Sequence, residues 1–339
     1  MSSNAKKQLE EVKQHIIHGR FQEGLKVIEA NLKKKDISIE DKLAFLNFKA
    51  EIFYYLGNLQ EALQLADQVL NESEKLDNLL LKVDALTFKS SALYWLAKVK
   101  EGIEIAEKGL KIISEIKNLP MKELAERKAR LLLLKTQFKF QLGDFEKGID
   151  VIKEALSYAE ESGNKFIISH SLALLGYLYM YLENKLEKNE EYLEKAHIIA
   201  TDLGNNFLLS QISISYAHLS NRRRKHEEAI DFFNKAFSLS KEIGSTLLLL
   251  YIHDMGNVYL SLYQLDKALE CYQESLKYGV ILKHIPYINI GYIYFLKNEL
   301  EKAQEYYQKS LKISEEIGDR RVLPNILFNL ISLSIELKN

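Results

Sequence analysis

Residues 248–318 read LLLYIHDMGNVYLSLYQLDKALECYQESLKYGVILKHIPYINIGYIYFLKNELEKAQEYYQKSLKISEEIG and contain one pattern written twice. Gly256 and Tyr259 are followed by Ala268, Tyr272 and Ser275; thirty-five residues later Gly291 and Tyr294 are followed by Ala303, Tyr307 and Ser310. A small residue twelve positions before an alanine, with aromatics three beyond the first and four beyond the second, suits two antiparallel helices. They approach closely at the small residues, and large side chains fill the space between.

Working outward, the small residue of the second helix recurs at Gly24, Ala62, Gly102, Gly148, Ala229, Ala268 and Ala303. One slot between Gly148 and Ala229 is irregular, with Asn189 in the small position. Gly57-Asn58 and Gly143-Asp144 read as turns within pairs, and Gly163, Gly204, Gly244, Gly279 and Gly318 as boundaries between them. The pattern resembles the tetratricopeptide repeat (TPR), over about residues 5 to 338 and most strongly at 248–318. The resemblance implies an all-α chain: a right-handed α-solenoid of about eight helix pairs and a terminal capping helix, in which each unit touches mainly its neighbours. The pairs are expected at 5–35, 41–77, 80–117, 122–163, 165–204, 206–244, 246–279 and 284–318, and the cap at 321–338, all in one domain.

Composition bounds the function. Three prolines and fifteen glycines in 339 residues favour helices, and a formal net charge of −1 gives no basic surplus with which to hold nucleic acid or an anionic membrane. The single cysteine, Cys271, excludes an internal disulfide, and the polar start lacks a secretory signal, so a reducing cytoplasm is expected. The longest uncharged run, Phe166 to Leu182, falls where a buried repeat helix is due. No phosphate loop, nucleophile elbow, CxxC pair or HExxH helix is present, so neither an enzyme nor a cofactor or metal site is expected.

Repeats near 40 residues are similar to the longer-helix TPR subtype of Pins-type adaptors, kinesin light chains and bacterial peptide-sensing regulators. That similarity implies a scaffold or adaptor that binds a peptide or disordered segment of a partner protein along its concave face, with a monomer expected. The alternatives are a peptide-sensing regulator and a self-associating structural protein. The first helix of each pair lines the groove in such solenoids. Offsets from the small residues then select Asn47, Phe48, Glu51, Tyr54, Tyr55, Phe88, Ser91, Tyr94 and Trp95 as an aromatic surface. Further on they select His170, Tyr177, Gln211, Ser215, His218, His253, Asp254, Asn257, Asn289, Tyr292, Asn325 and Asn329 as a polar one. Core packing is the competing reading of the aromatic set. For the polar set, an amide can satisfy both the N–H and the C=O of an extended peptide. Asn257 and Asn289 match two asparagines of the family's carboxylate clamp, whereas His253, Asn325 and Asn329 stand where the clamp has basic residues. Arg222, Arg223 and Arg224 form a basic loop, read either as solvated or as a contact for an acidic partner.

Overall fold

The computed structural model describes residues 3–74, 76, 78–117, 119–182, 186–278, 283–317 and 322–336. Eighteen helices and no strands occur among them. They pair as α1(Ser3–Ile17) with α2(Phe21–Leu32), α3(Ile39–Leu56) with α4(Leu59–Ser73), α5(Leu79–Trp95) with α6(Val99–Glu115), and α7(Met121–Gln141) with α8(Phe145–Ser162). The series continues with α9(Lys165–Tyr179) and α10(Leu186–Leu203), α11(Asn206–Arg222) and α12(His226–Ile243), then α16(His284–Leu296) and α17(Leu300–Ile317). In the seventh unit α13(Thr246–Leu249) and α14(Ile252–Ser261) precede α15(Leu265–Tyr278), and α18(Leu323–Glu336) packs on the last pair. The chain is an all-helical solenoid.

The repeated glycine–tyrosine pattern has a direct cause. The ring of Tyr272 packs so closely against Gly256 that a Cβ there would stand 2.7 Å from it, and Tyr307 approaches Gly291 to the same 2.7 Å. Asn189 fits a small slot because its Nδ2 donates to the Gly176 carbonyl at 2.8 Å, a group that the missing side chain leaves within reach. Helix turns within pairs close with a left-handed residue: glycine at 19, 57 and 143, but Ala97, Arg224, Tyr263 and Asn298 elsewhere. Gly163, Gly204 and Gly244 take the same conformation between pairs, while Gly279 and Gly318 lie outside the described residues.

The seventh unit departs from the expected single first helix. At Leu250–Tyr251 the bonding shortens to i→i−3, from Tyr251 N–H to Leu248 O, His253 N–H to Leu250 O and Asp254 N–H to Tyr251 O. The Nδ1 of His253 also donates to the Leu250 carbonyl at 2.9 Å, satisfying an acceptor at the break.

Successive turns of the superhelix touch. The turn of the first unit docks on the start of the sixth: Asn205 Nδ2 donates to the Ile16 and Ile17 carbonyls at 3.3 and 2.9 Å, and His18 Nδ1 donates to Leu203 O at 2.8 Å. One step on, the turn of the second unit docks on the start of the seventh, with Ser245 Oγ donating to Tyr55 O at 2.6 Å and Thr246 Oγ1 to Leu56 O at 3.0 Å. These carbonyls end α1, α3 and, for Leu203, α10, where no intrahelical donor exists. Five units therefore complete one turn. Phe21, Tyr55, Phe166 and Phe207 pack ring against ring across that closure. The accessible surface, 16474 Å², still exceeds the roughly 14,000 Å² of a compact monomer of this mass.

Beyond the closure, α18 buries Ile326 and Leu333 and leaves Leu327, Phe328, Ile331 and Ile335 exposed. No helix among the described residues is long and apolar enough to cross a membrane.

Candidate functional site

Tight winding makes the interior narrow, and among the described residues three cavities lie between the first helices of units one to seven. The largest, about 320 Å³, is bounded by α1, α3, α5 and α7. A constriction of about 40 Å³ between α3, α5, α7 and α9 shares Thr87, Phe88 and Arg130 with it. The third, about 110 Å³, shares Gln137 and His170 with the constriction and is lined by Tyr94, Trp95, Phe140, Tyr177, Gln211, Ser215 and Tyr251.

Charges built into α7 wall the first cavity. Arg130 Nη1 donates to Glu51 Oε1 at 2.5 Å, Tyr55 Oη donates to the same oxygen at 3.1 Å, and Lys13 reaches Glu126 at 2.7 Å. Arg127 holds Asp84 through two bonds of 2.7 and 2.8 Å. Burial pushes the Glu51 carboxyl up even beside the guanidinium, while Arg130 and Lys13 overcome burial at Glu126 and bring it down to about 2. Burial, with Arg130 nearby, lowers His170 to about 4, so its imidazole is neutral.

The third cavity is aromatic and amide-lined. Trp95 and Gln137 turn toward the Tyr54 hydroxyl, while the Oε1 atoms of Gln137 and Gln211 are buried with no donor in the described chain. Past Tyr177, the first helices of units five to eight leave an open shelf. There His218 Nε2 lies 3.5 Å and His253 Nε2 3.1 Å from the Asp254 carboxylate. Burial opposes both charges, but the pairing raises His253 to about 9 and holds Asp254 far below the usual carboxylate range. Asn289 Nδ2 donates to Asn257 Oδ1 at 3.1 Å, joining α16 to α14.

The residues selected from sequence fall into three groups. His170, Tyr177, Gln211, Ser215 and Tyr94 line the third cavity, and His218, His253, Asp254, Asn257 and Asn289 form the shelf beside it. Tyr54, Tyr55 and Phe88 are buried on the wall of the constriction, where facing helices narrow the interior; Tyr54 is 7% exposed and packs on Tyr55. Asn47 is buried beside the first cavity, where its Nδ2 donates to the Leu81 carbonyl at 3.0 Å. Asn257 also accepts a 2.8 Å bond from Tyr272 Oη, so it carries a structural role the sequence did not indicate. Tyr292 is exposed on α16, and Asn329 bonds to Asn325 within α18, apart from the cavities. In the basic loop Arg223 pairs with Glu190 at 2.9 Å, whereas Arg222 and Arg224 stand exposed. Sequence reasoning missed Lys13, Glu126 and Arg130, whose signal is indistinguishable from a solvated charged helix face. Among the described residues no group of three His, Cys, Asp or Glu side chains could hold a metal.

Residues 286–317 match the tetratricopeptide repeat family model. No curated protein matches the chain by sequence. In fold, the chain is similar to a Rap protein solved in complex with Competence and Sporulation Factor, at TM-score 0.63 and 14% identity over 95% of this chain and 100% of that one. It is similar also to the apo form of RapI, at TM-score 0.56 and 15% identity over 82% and 99% of the two chains. Aspartyl phosphate phosphatase F from Bacillus subtilis matches at TM-score 0.56 and 13% identity, over 92% and 94%. The chain thus resembles TPR proteins in sequence at its eighth unit and in fold along nearly its whole length.

Proposed function

We propose that this protein binds an extended peptide segment of a partner, laid on the shelf of units five to eight with a side chain or peptide group entering the third cavity. The observation that carries the reading is the polar row along the shelf, His218, Asp254, His253, Asn257 and Asn289, which continues into a third cavity lined by Gln137 and Gln211. Amide side chains on such a face can serve both the N–H and the C=O groups of an extended peptide. Asn257 and Asn289 extend the row of amides along the shelf. The fold shared with a Rap protein solved with a bound factor supports the reading without defining the ligand.

A regulatory version follows from the docked turns. A peptide that prefers another superhelical pitch would alter the contacts of Asn205 and Ser245, and through them surfaces remote from the groove.

The test is panning of a displayed random peptide library against the whole chain, followed by calorimetry with the enriched peptide. Gln211→Leu and Asn289→Ala should each weaken binding by about 1–2 kcal/mol, roughly five- to thirtyfold. Asn289 is preferable to Asn257, whose loss also strips the Tyr272 hydroxyl of its acceptor. A peptide that binds the double variant with full affinity, or a library with no enriched member, would refute the proposal.

A further inference from the structure

The two ends of the solenoid differ in what they turn to solvent. At the first end α1 exposes Lys6, Lys7, Glu10, Glu11 and Gln14, the polar face of an ordinary cap. At the other end α18 is apolar on two sides. Ile326 and Leu333 are buried against the eighth pair, while Leu327, Phe328, Ile331 and Ile335 stand between 49% and 68% exposed. No other helix among the described residues exposes more than one large apolar side chain, so the four on α18 form a patch and not a scatter.

Spacing gives the patch a direction. Pro324, Phe328, Ile331 and Ile335 follow one another at intervals of four, three and four residues, with Leu327 beside them, so they share one stripe turned away from Ile326 and Leu333. A stripe at that spacing is the seam of a two-helix contact. The helix is uncharged from Leu323 to Ile335, with Glu336 at its end, so an identical stripe can lie on it without opposing like charges.

We propose that a second copy of this chain covers the stripe, α18 against α18 about a two-fold axis, in place of the monomer expected from sequence. The area suits that occupant. The four large side chains present roughly 500 Å², and two copies face to face bury roughly 1,000 Å², where specific interfaces begin. The polar face of α1 offers nothing to an apolar stripe, so one chain's end does not stack on the next chain's start, and the contact is isologous and closes at two. The helices run antiparallel, because their macrodipoles then oppose and Glu336 comes to the amino end of its mate. A centre near Ile331 brings Phe328 of each copy to Ile335 of the other.

The interface lies at the lower size limit, so a dissociation constant of about 1–100 µM is expected. Sedimentation equilibrium of the full chain across that range should pass from 39.3 kDa toward twice that mass. Phe328→Glu changes a side chain that the fold leaves exposed, and should weaken the dimer at least about tenfold with unchanged circular dichroism. A second measurement fixes the site and the direction. Single variants Phe328→Cys and Ile335→Cys, mixed and treated with oxidised glutathione, should link to each other, which a parallel pairing would not allow; Cys271 is buried and serves as the control in the parent chain. A chain that stays monomeric to about 100 µM, whether or not α18 then captures another protein or a lipid vesicle, overturns the proposal. So does a dimer that Phe328→Glu leaves at full affinity, or the absence of a link between the mixed variants.

Discussion

Arg130→Ala will destabilise the fold by about 3–5 kcal/mol, the range for removing one partner of a buried ion pair. The Glu51 and Arg130 side chains are 2% and 15% exposed, so water does not replace the lost cation. Glu51 belongs to the second unit and Arg130 to the fourth, which makes the pair a tie across the interior and not a neighbour contact. Urea unfolding followed by circular dichroism measures the loss. The double replacement Glu51→Leu with Arg130→Met should recover most of it, since it leaves no buried charge uncompensated. A change under about 1 kcal/mol in Arg130→Ala would show that the interior is wetter than the geometry indicates.

Gly57→Ala has the second large effect, and a built-in control separates its two causes. At φ +90° an alanine pays about 1–2 kcal/mol of backbone strain. Its Cβ would also stand 2.7 Å from the Leu247 amide nitrogen and collide with the Thr246 hydroxyl, so the docked turn must move away. Gly143 has φ +75° and nothing within 4 Å of a built Cβ. Gly143→Ala should therefore show the strain alone, with an unchanged radius of gyration in solution scattering. Gly57→Ala should show a larger loss of stability together with an increased radius. Equal effects from the two substitutions would mean that the turns of the superhelix are not held together at Thr246.

The contrast between these two glycines also shows what the sequence carries. Both read as helix turns, and both are. Nothing local to Gly57-Asn58 announces that Ser245 and Thr246, about 190 residues away, cap the carbonyls beside it; serine after Gly244 reads equally well as an ordinary helix start. Unit boundaries are legible because nearest-neighbour stacking repeats the same small residues and turn glycines. Closure between superhelical turns uses each contact once, so it leaves no period. Closure is also why Tyr54 is buried on the wall of the constriction while Tyr94 and Trp95 line the wider third cavity. The break at Leu250–Tyr251 hides in an uninterrupted apolar run, TLLLLYI, that reads as one helix. On the shelf, Asn257 and Asn289 were legible as neighbours because they lie one turn apart relative to the glycines Gly256 and Gly291, which the repeat superimposes. The charges around Arg130 were not, since Glu, Lys and Arg at helical spacing describe a solvated face as readily as a buried one.

The most direct test of peptide binding on the concave side is photo-crosslinking with the panned peptide carrying a benzophenone side chain, followed by mass spectrometry of the crosslinked chain. The account predicts adducts on the shelf and the third cavity, around Tyr177, His218, Tyr251, Asn257 and Asn289. Adducts confined to the second helices α12, α15 and α17, or to the exposed face of α18, would contradict it.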